Sequence, residues 1–493
     1  MGVVARQGIK YSIISYLSFL LGTFSTIFIY PADTTFLGQL RFIQPSAEII
    51  FPFVVFGLSY ANIKFYQQFK AKNQNLDFLV FSIKFIVISF LIICLLYWLF
   101  ASLFPSIGNS DSWKMKQYVL PVILILALSQ LFSKYISNFK RVAITGIFEN
   151  FFPKLGSLVA FICFVYLGIS EINSLYIFIF FFFAALAGLI VYFLRLNKDK
   201  PSGSLSILSS KNFRKELFYF CIFSVLGSIG NQLALRIDNL MISELISYKQ
   251  NGIYSILMSI VGFLSVPLAG VFAISGPIIV EKLENNQHAE LNDFYQKISK
   301  FLFLFGTVLL SCIFAGCDYL FLLMKNGHEL SEAKSIIYIL GIATLFDIST
   351  GFNSQIITYS RYYRFNIYAM LLLAVLTISS NWIFIVYFNL GIEGVAMATA
   401  ISLTIYNIIK LIFNYKIFKI QPFTRVYLYI LITGISAVIL AWSIPDTSNN
   451  LINLLLKPLV VIIIFLIINL WLKFFPFKEI FSTNLKSFLS GKK

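Results

Sequence analysis

The chain has 493 residues, of which 59% are apolar and 12% charged, with a mean hydropathy of +0.85; soluble domains hold roughly 45–50% apolar and about 25% charged residues. With 55 Phe, the sequence lacks the polar residues to cover a soluble surface, which excludes a string of soluble domains and predicts a multi-pass membrane protein. The five Cys (Cys94, Cys163, Cys221, Cys312, Cys317) lie in apolar stretches without a CxxC pair, and His288 and His328 stand alone, so disulfide frameworks, metal centres and histidine acid–base chemistry have no footing.

Apolar runs long enough to cross about 30 Å of hydrocarbon fall at 8–30, 42–62, 78–104, 117–138, 143–168, 173–195, 216–236, 251–276, 299–322, 335–360, 365–389, 394–415, 425–444 and 453–473. The first follows Arg6 and Lys10, exceeds a signal-peptide core and lacks a small-x-small cleavage site, so it is predicted as a membrane anchor. The predicted fold is an all-α polytopic membrane protein of about fourteen transmembrane helices.

Lys and Arg concentrate on the cytoplasmic side of membrane proteins. With both termini cytoplasmic, the outer side receives Arg41, Lys114, Lys116, Arg236, Lys249, Lys325, Lys334 and Lys457, and the rest of the 38 basic residues fall inside. The formal charge of +17 is then topology, and nucleic acid is not a predicted partner. The longest connection, 196–215, is cytoplasmic on this reading. The tail from Phe475 alternates Phe477, Phe481, Leu485 and Phe488 with Lys478 and Lys486. That pattern predicts an amphipathic helix on the inner leaflet, with a frayed tail as the alternative.

The sequence repeats itself. Arg141 precedes a run ending Leu167-Gly168-Ile169, and Arg364 precedes one ending Leu390-Gly391-Ile392, both at an offset of 223 residues. Gly38 and Pro52 match Gly252 and Pro267 at offsets of 214 and 215. Helices 1–6 and 7–12 are therefore read as two copies, and an even helix number gives them the same orientation. Transporters with parallel repeats bind substrate between the halves. The predicted divisions are an N-lobe (1–200), a C-lobe (201–420), helices 13–14 (421–474) and the basic tail (475–493).

Charges inside the membrane cost about 2.5–3.5 kcal/mol each at mid-bilayer, so they need partners or a wet cavity. Helix 2 carries Arg41, Gln44 and Glu48 on one face. Helix 5 carries Glu149, Asn150 and Lys154; helix 7 carries Asn231, Gln232, Arg236 and Asp238. Helix 10 has a stripe of Thr344, Asp347, Gly351, Ser354 and Thr358, beside Asn353 and Gln355. Such a stripe is either a helix–helix seam or a wall of the cavity, and Asp347 favours the wall. Lys84, Lys134 and Lys410 lie near inner helix ends and are predicted to snorkel. Pro52 follows Glu48 by four residues and Pro153 follows Glu149 by four. Proline has no N–H, so each acid is predicted to sit beside its own unpaired carbonyl. That pair of ligands fits Na⁺ or a proton, which makes Glu48, Glu149 and Asp347 candidate ion-coupling residues; the bland alternative is an ordinary proline kink.

The opening Val4-Ala5-Arg6-Gln7-Gly8-Ile9-Lys10, the stretch Phe36-Leu37-Gly38-Gln39-Leu40-Arg41, and Asp238-Asn239-Leu240-Met241-Ile242 followed by Asn251-Gly252-Ile253-Tyr254-Ser255 resemble bacterial lipid-linked oligosaccharide flippases. These are the Wzx-like polysaccharide-transport branch of the multidrug/oligosaccharidyl-lipid/polysaccharide (MOP) exporter superfamily. The resemblance spans essentially the whole chain in length, helix count and twofold repeat. It implies two six-helix lobes in a V, with alternating access that moves an undecaprenyl-diphosphate-linked glycan from the inner to the outer leaflet of the bacterial inner membrane. It implies membrane lipids, a polysaccharide polymerase and other assembly components as partners, and helices 13 and 14 as a lateral surface for the polyprenyl tail. No cofactor is implied beyond a coupling Na⁺ or H⁺, and no metal.

A diphosphate cannot enter low dielectric without cations. On this reading Arg41, Lys154 and Arg236 become candidate substrate ligands, with anchoring, snorkelling or pairing to Glu48 and Asp238 as alternatives. Asn231, Gln232 and Asn353 would meet the sugars. The competing function is a cation-coupled multidrug or small-molecule exporter of the MATE type, which needs no cavity cations. A third reading, a membrane glycosyltransferase or polymerase, lacks the outer loop such enzymes need.

Overall fold

A computed structural model describes residues 3–105, 111–141, 143–197, 200–203 and 205–472, and among them no strand occurs. Eleven helices are long and apolar enough to cross a membrane, or thirteen if two bent pairs each count as one span. The predicted eighth crossing is instead two shorter helices, Tyr248–Gly262 and Val266–Glu284, joined by a 3-10 turn at Phe263–Ser265. The predicted amphipathic tail lies outside the described residues.

In chain order the helices used below are α1 (Val3–Phe24), α2 (Thr34–Val55), α3 (Leu58–Lys64), α4 (Asn75–Leu103), α5 (Asp111–Ser137), α6 (Phe152–Val165), α7 (Glu171–Leu196), α8 (Lys211–Leu245), α9 (Tyr248–Gly262), α10 (Val266–Glu284), α11 (His288–Leu323), α12 (Ser335–Ser349), α13 (Asn353–Tyr359), α14 (Tyr363–Trp382), α15 (Gly391–Phe418), α16 (Val426–Ser443) and α17 (Asn450–Leu472). They pack as two compact units. One is Met1–Ile256 with Met370–Thr399, the other Leu257–Ala369 with Ala400–Lys493.

The first unit is built around α2. Asp33 caps it by accepting from the Phe36 N–H at 2.9 Å, and Phe36, Leu40, Phe42, Ile43, Ala47 and Val54 are all buried. Apolar residues on several sides of α2 suit an interior position, with Arg41, Gln44 and Glu48 left as one polar face. It ends where Phe56 and Gly57 both take positive φ (47° and 71°), and the chain turns 55° into α3. A Cβ on Gly57 would also fall 2.7 Å from the Cys221 carbonyl oxygen of α8, so only glycine fits.

The N-terminal half of α2 crosses α9 at two glycines. A Cβ on Gly38 would lie 1.7 Å from the Tyr248 carbonyl oxygen, and one on Gly252 would lie 1.8 Å from that of Thr34. Each glycine thus abuts the residue four before the other, so the crossing is two-fold symmetric. These are the glycines matched in the sequence repeat. Polar residues of the Asp238–Ser255 stretch tighten the same crossing. Asn251 Nδ2 donates to the Gly38 carbonyl (3.1 Å) and to Ser243 Oγ (2.8 Å). Asn239 Nδ2 donates to Asn251 Oδ1 and Ser255 Oγ at 2.8 and 2.9 Å.

In the second unit α11 is the centre, and the two helices outside the repeat, α16 and α17, pack on it through small residues. A Cβ on Gly434 would lie 2.6 Å from Thr307 Cγ2, and one on Gly316 would lie 3.2 Å from Pro458 Cγ. Close approach of this kind is the ordinary means of holding helices together in lipid. Lys457, predicted at the outer interface, is 1% exposed. Its ammonium donates to the Ile444 carbonyl and pairs with Asp446 at 2.9 Å, and Tyr319 of α11 donates to the same carboxylate. The α16–α17 turn is thereby tied to α11.

Candidate functional site

Glu48, Glu149, Gln232 and Arg236 line one cavity of about 190 Å³ in the first unit, with Ser129, Gln130, Phe51 and Phe182 among the other residues of its wall. Four of the residues singled out in the sequence therefore converge, from α2, α8 and the turn before α6. Glu48 Oε2 meets Arg236 Nε at 2.5 Å as an ion pair, without the alignment of a hydrogen bond. Gln44 Nε2 donates to the other oxygen, Oε1, at 2.7 Å. The Arg236 side chain keeps 39% of its surface open, against 12% for Glu48.

Two further cations stand by. Arg41 lies in the field of Arg236 and Glu48, and Lys154 in the field of both arginines. Lys154 Nζ donates to the Ser18 carbonyl at 3.1 Å and lies against Gly22 of α1, 3.5 Å from where its Cβ would be. Among the described residues neither Arg41 nor Lys154 is within ion-pair distance of a carboxylate. Three cations thus stand near two acids, Glu48 and Glu149, in a low-dielectric setting where like charges repel strongly. Their excess of positive charge favours an anion.

Glu149 departs from expectation in its backbone. Residues Ile147–Phe151 form a π-turn, in which the Phe152 N–H reaches the Ile147 carbonyl five residues back. The ring of Pro153 would clash with the carbonyl four residues back, and widening the turn relieves this. The irregularity expected before Pro153 takes the form of a bulge, which projects Glu149 toward the Ser133 hydroxyl and Lys134 of α5. Glu48 keeps a helical backbone, with Pro45 and Pro52 both inside α2.

Asp238 does not pair with Arg236, two residues away. It is 8% exposed and accepts from Tyr254 Oη, Asn381 Nδ2 and Thr399 Oγ1 at 2.9, 2.8 and 2.7 Å. This is a carboxylate held by three neutral donors from three other helical segments. In the sequence Asp238 reads as a polar helix end, and its partners lie more than 140 residues away along the chain for two of the three. Asn231 is half-buried on α8 and is not in the cavity wall.

Asp347 and Asn353 belong to the second unit. The predicted tenth helix breaks there by 46° between α12 and α13, at Gly351 with φ of 56°, so the predicted stripe does not run along one straight face. Its members bond across to α15: Asn407 Nδ2 donates to Asp347 Oδ1 (2.7 Å), Lys410 Nζ to Ser354 Oγ (2.8 Å) and Asn414 Nδ2 to the Asn353 carbonyl (3.1 Å). This is a helix–helix seam. Lys410 does not snorkel: it is 2% exposed, with its ammonium 3.6 Å from the Tyr406 ring centroid. The signal was present in the sequence, since Asn407, Lys410 and Asn414 recur at i, i+3 and i+7 within an apolar run.

No family model matches the sequence, and no curated protein matches it. Solved structures share its fold. One is described as lipid II flippase MurJ in an inward closed conformation, with a TM-score of 0.67 and 17% identity over 97% of this chain and 99% of that one. Another is an inward-facing multidrug resistance MATE family transporter of the MOP superfamily, with a TM-score of 0.61 and 15% identity over 82% of this chain and 94% of that one. A crystal structure of MATE in complex with MaL6 has a TM-score of 0.54 and 14% identity, over 85% of this chain and 96% of that one. The fold is therefore MOP-like and all-helical, in a multi-pass membrane protein. At these identities the likeness extends to the fold.

Proposed function

We propose that the chain is a flippase that moves a polyprenyl-diphosphate-linked oligosaccharide from the inner to the outer leaflet of a bacterial inner membrane by alternating access. The observation that supports this best is the Glu48–Arg236 pair in the cavity wall, with Arg41 and Lys154 in the field of Arg236. A diphosphate diester brings about two negative charges, for which Arg236, with Arg41 and Lys154 near it, supplies counter-charge. Gln232, Gln130 and Ser129 in the same wall supply neutral donors and acceptors for a sugar. In the second unit, Tyr429, Ile432, Ile467 and Trp471 of α16 and α17 frame an apolar groove of about 400 Å³, suited to a prenyl chain. MurJ is by its description a lipid II flippase, which accords with the reading.

Export of a cationic drug fits the same fold but not the same charges, since Arg41, Lys154 and Arg236 would repel it. Deleting the gene decides the matter. In the deletion strain the lipid-linked glycan is expected to accumulate and to stay out of reach of impermeant periodate, and the wild-type gene restores access. Unchanged periodate access with lost drug resistance would replace this reading with the drug-export one. Glu149→Gln is expected to lower export in that complementation assay while leaving protein abundance unchanged, because it removes a carboxylate from the cavity wall without changing its shape. Full export in Glu149→Gln would remove Glu149 from the mechanism.

A further inference from the structure

Two connections in this chain are fastened down in the same way, one in each copy of the repeat. In the first unit, the segment that follows α7 is tied to the head of α4. Asp77, in the first turn of α4, accepts from the Ser202 N–H (2.8 Å), the Ser202 hydroxyl (2.6 Å) and the Gly203 N–H (2.9 Å). Gln74, just before α4, donates to Ser206 Oγ (2.8 Å) and accepts from the Ile207 N–H (3.3 Å). Leu205, Ile207 and Leu208 pack on a buried cluster that holds Phe65, Phe69 and Phe78. In the second unit, the segment that follows α15 is tied to the head of α11. Asn292 accepts from the Gln421 N–H (2.9 Å), and Gln296 Nε2 donates to the Gln421 carbonyl (3.2 Å). Ile420, 1% exposed, joins Leu291, Tyr295 and Phe352 in one buried cluster.

The turns that do the fastening are themselves repeated. Asn73-Gln74 matches Asn286-Gln287 at an offset of 213, and Asp77-Phe78 matches Asp293-Phe294 at 216. Asn73 and Asn286 both take positive φ, 54° and 55°. The fastening side chains differ, an acid and a glutamine in the first copy, an asparagine and a glutamine in the second. What they hold is the same: the chain leaving the sixth helix of a copy is pinned to the third helix of that copy. Unlike residues that do one task at matching places make the task itself the point of the repeat. The first of these fastenings also resists opening. Asp77 is 9% exposed, so release would leave a sheltered carboxylate without three donors at once and return Leu205, Ile207 and Leu208 to water. We propose that the two segments are straps that hold the third and sixth helices of each copy together at the end predicted to be cytoplasmic, and that both stay shut while the protein exports. The connections are then not the hinges, whichever cargo is moved.

One variant supplies both an open and a locked strap. Asp77→Cys with Ser202→Cys, in the full-length protein with its five native cysteines replaced by alanine, removes the carboxylate. Dibromobimane then bridges the pair through thioethers that cellular thiols do not reverse. Hydrogen–deuterium exchange in lipid nanodiscs reports the strap directly. The wild-type amides of Ser202, Gly203 and Ile207 are expected to be protected. In the unbridged variant they should exchange at least about tenfold faster, the factor that one charge-assisted hydrogen bond contributes to an opening equilibrium, and bridging should slow them again. Export is scored in the same cells as periodate access to the lipid-linked glycan and as efflux of a cationic dye. It is expected to be lost in the unbridged variant and regained on bridging. Wild-type amides that already exchange at the unbridged rate, or full export by the unbridged variant, would overturn the straps. Export stopped by the bridge would show that the strap has to open. Should the double variant fail to fold, the second strap carries the test. Asn292→Leu with Gln296→Leu should free the Gln421 amide and lose export, whereas Asn292→Asp, which puts the first copy's acceptor into the second, should keep both. Lost export in Asn292→Asp with the Gln421 amide still protected would overturn the role of that strap. A wild type that moves dye and no glycan removes the flippase reading and leaves the straps to be judged on dye.

Discussion

Replacing Arg236 by Gln and Lys154 by Met in one protein is expected to stop export of a lipid-linked glycan and to leave efflux of a cationic dye intact. A hydrogen bond to a charged group contributes about 1.5–3 kcal/mol, and each 1.4 kcal/mol is about a factor of ten. Loss of both cations therefore weakens diphosphate binding by roughly two to four orders of magnitude. The single change Arg236→Gln confounds binding with folding, because it leaves Glu48, 12% exposed, without its counter-ion. Breaking one side of a buried pair costs about 3–5 kcal/mol. Glu48→Gln added to Arg236→Gln removes both charges together and is expected to recover much of the protein level but none of the export. Arg236→Lys should fall between, since an ammonium keeps the charge and loses the two-pronged contact. The measurement is periodate access to the lipid-linked glycan in a deletion strain carrying each variant, normalised to protein abundance. Dye efflux lost along with glycan export would mean that the cations hold the fold together and do not choose the cargo.

Much of this was legible in the sequence, and the boundary of legibility has a physical cause. Apolar run length located the helices because a bilayer fixes how long a crossing must be. Arg41, Glu48, Glu149, Lys154 and Arg236 stood out because charge is costly there, and they converge on one region. What could not be read was partnership. Arg236 is two residues from Asp238 and far along the chain from Glu48, yet the structure pairs it with Glu48. On a helix, residues two apart face away from each other, and that rule could have warned against the nearer acid. Two of the three partners of Asp238 lie more than 140 residues away along the chain, beyond any local pattern. The break at Gly351 and the bulged form of the turn before Pro153, where only an unpaired carbonyl or a kink was expected, were hidden for a related reason. Hydropathy registers how greasy a segment is, and bent or bulged backbone in lipid is as greasy as straight.

Gly38→Ala and Gly252→Ala are each expected to disable the protein, although alanine is the better helix former. An added methyl at Gly38 would lie 1.7 Å from the Tyr248 carbonyl oxygen, and at Gly252 1.8 Å from that of Thr34. Both obstacles are backbone, so no rotamer change gives way. The helices must part by about 1 Å or more, at a cost above the roughly 1–3 kcal/mol of ordinary overpacking. Parting them also loosens the Asn251 Nδ2 bond to the Gly38 carbonyl. Gly262→Ala is the control, for nothing lies within 4 Å of its Cβ position. It should be neutral or raise stability by about 0.5–1 kcal/mol through its helical preference. Thermal unfolding of the three purified variants, followed by export in the deletion strain, separates the cases. Because the crossing is symmetric, the two damaging variants should lose stability to a similar extent. If either melted with Gly262→Ala and still exported glycan, the close approach of α2 and α9 would not be what holds this end of the unit, and the sequence repeat would lose its structural meaning there.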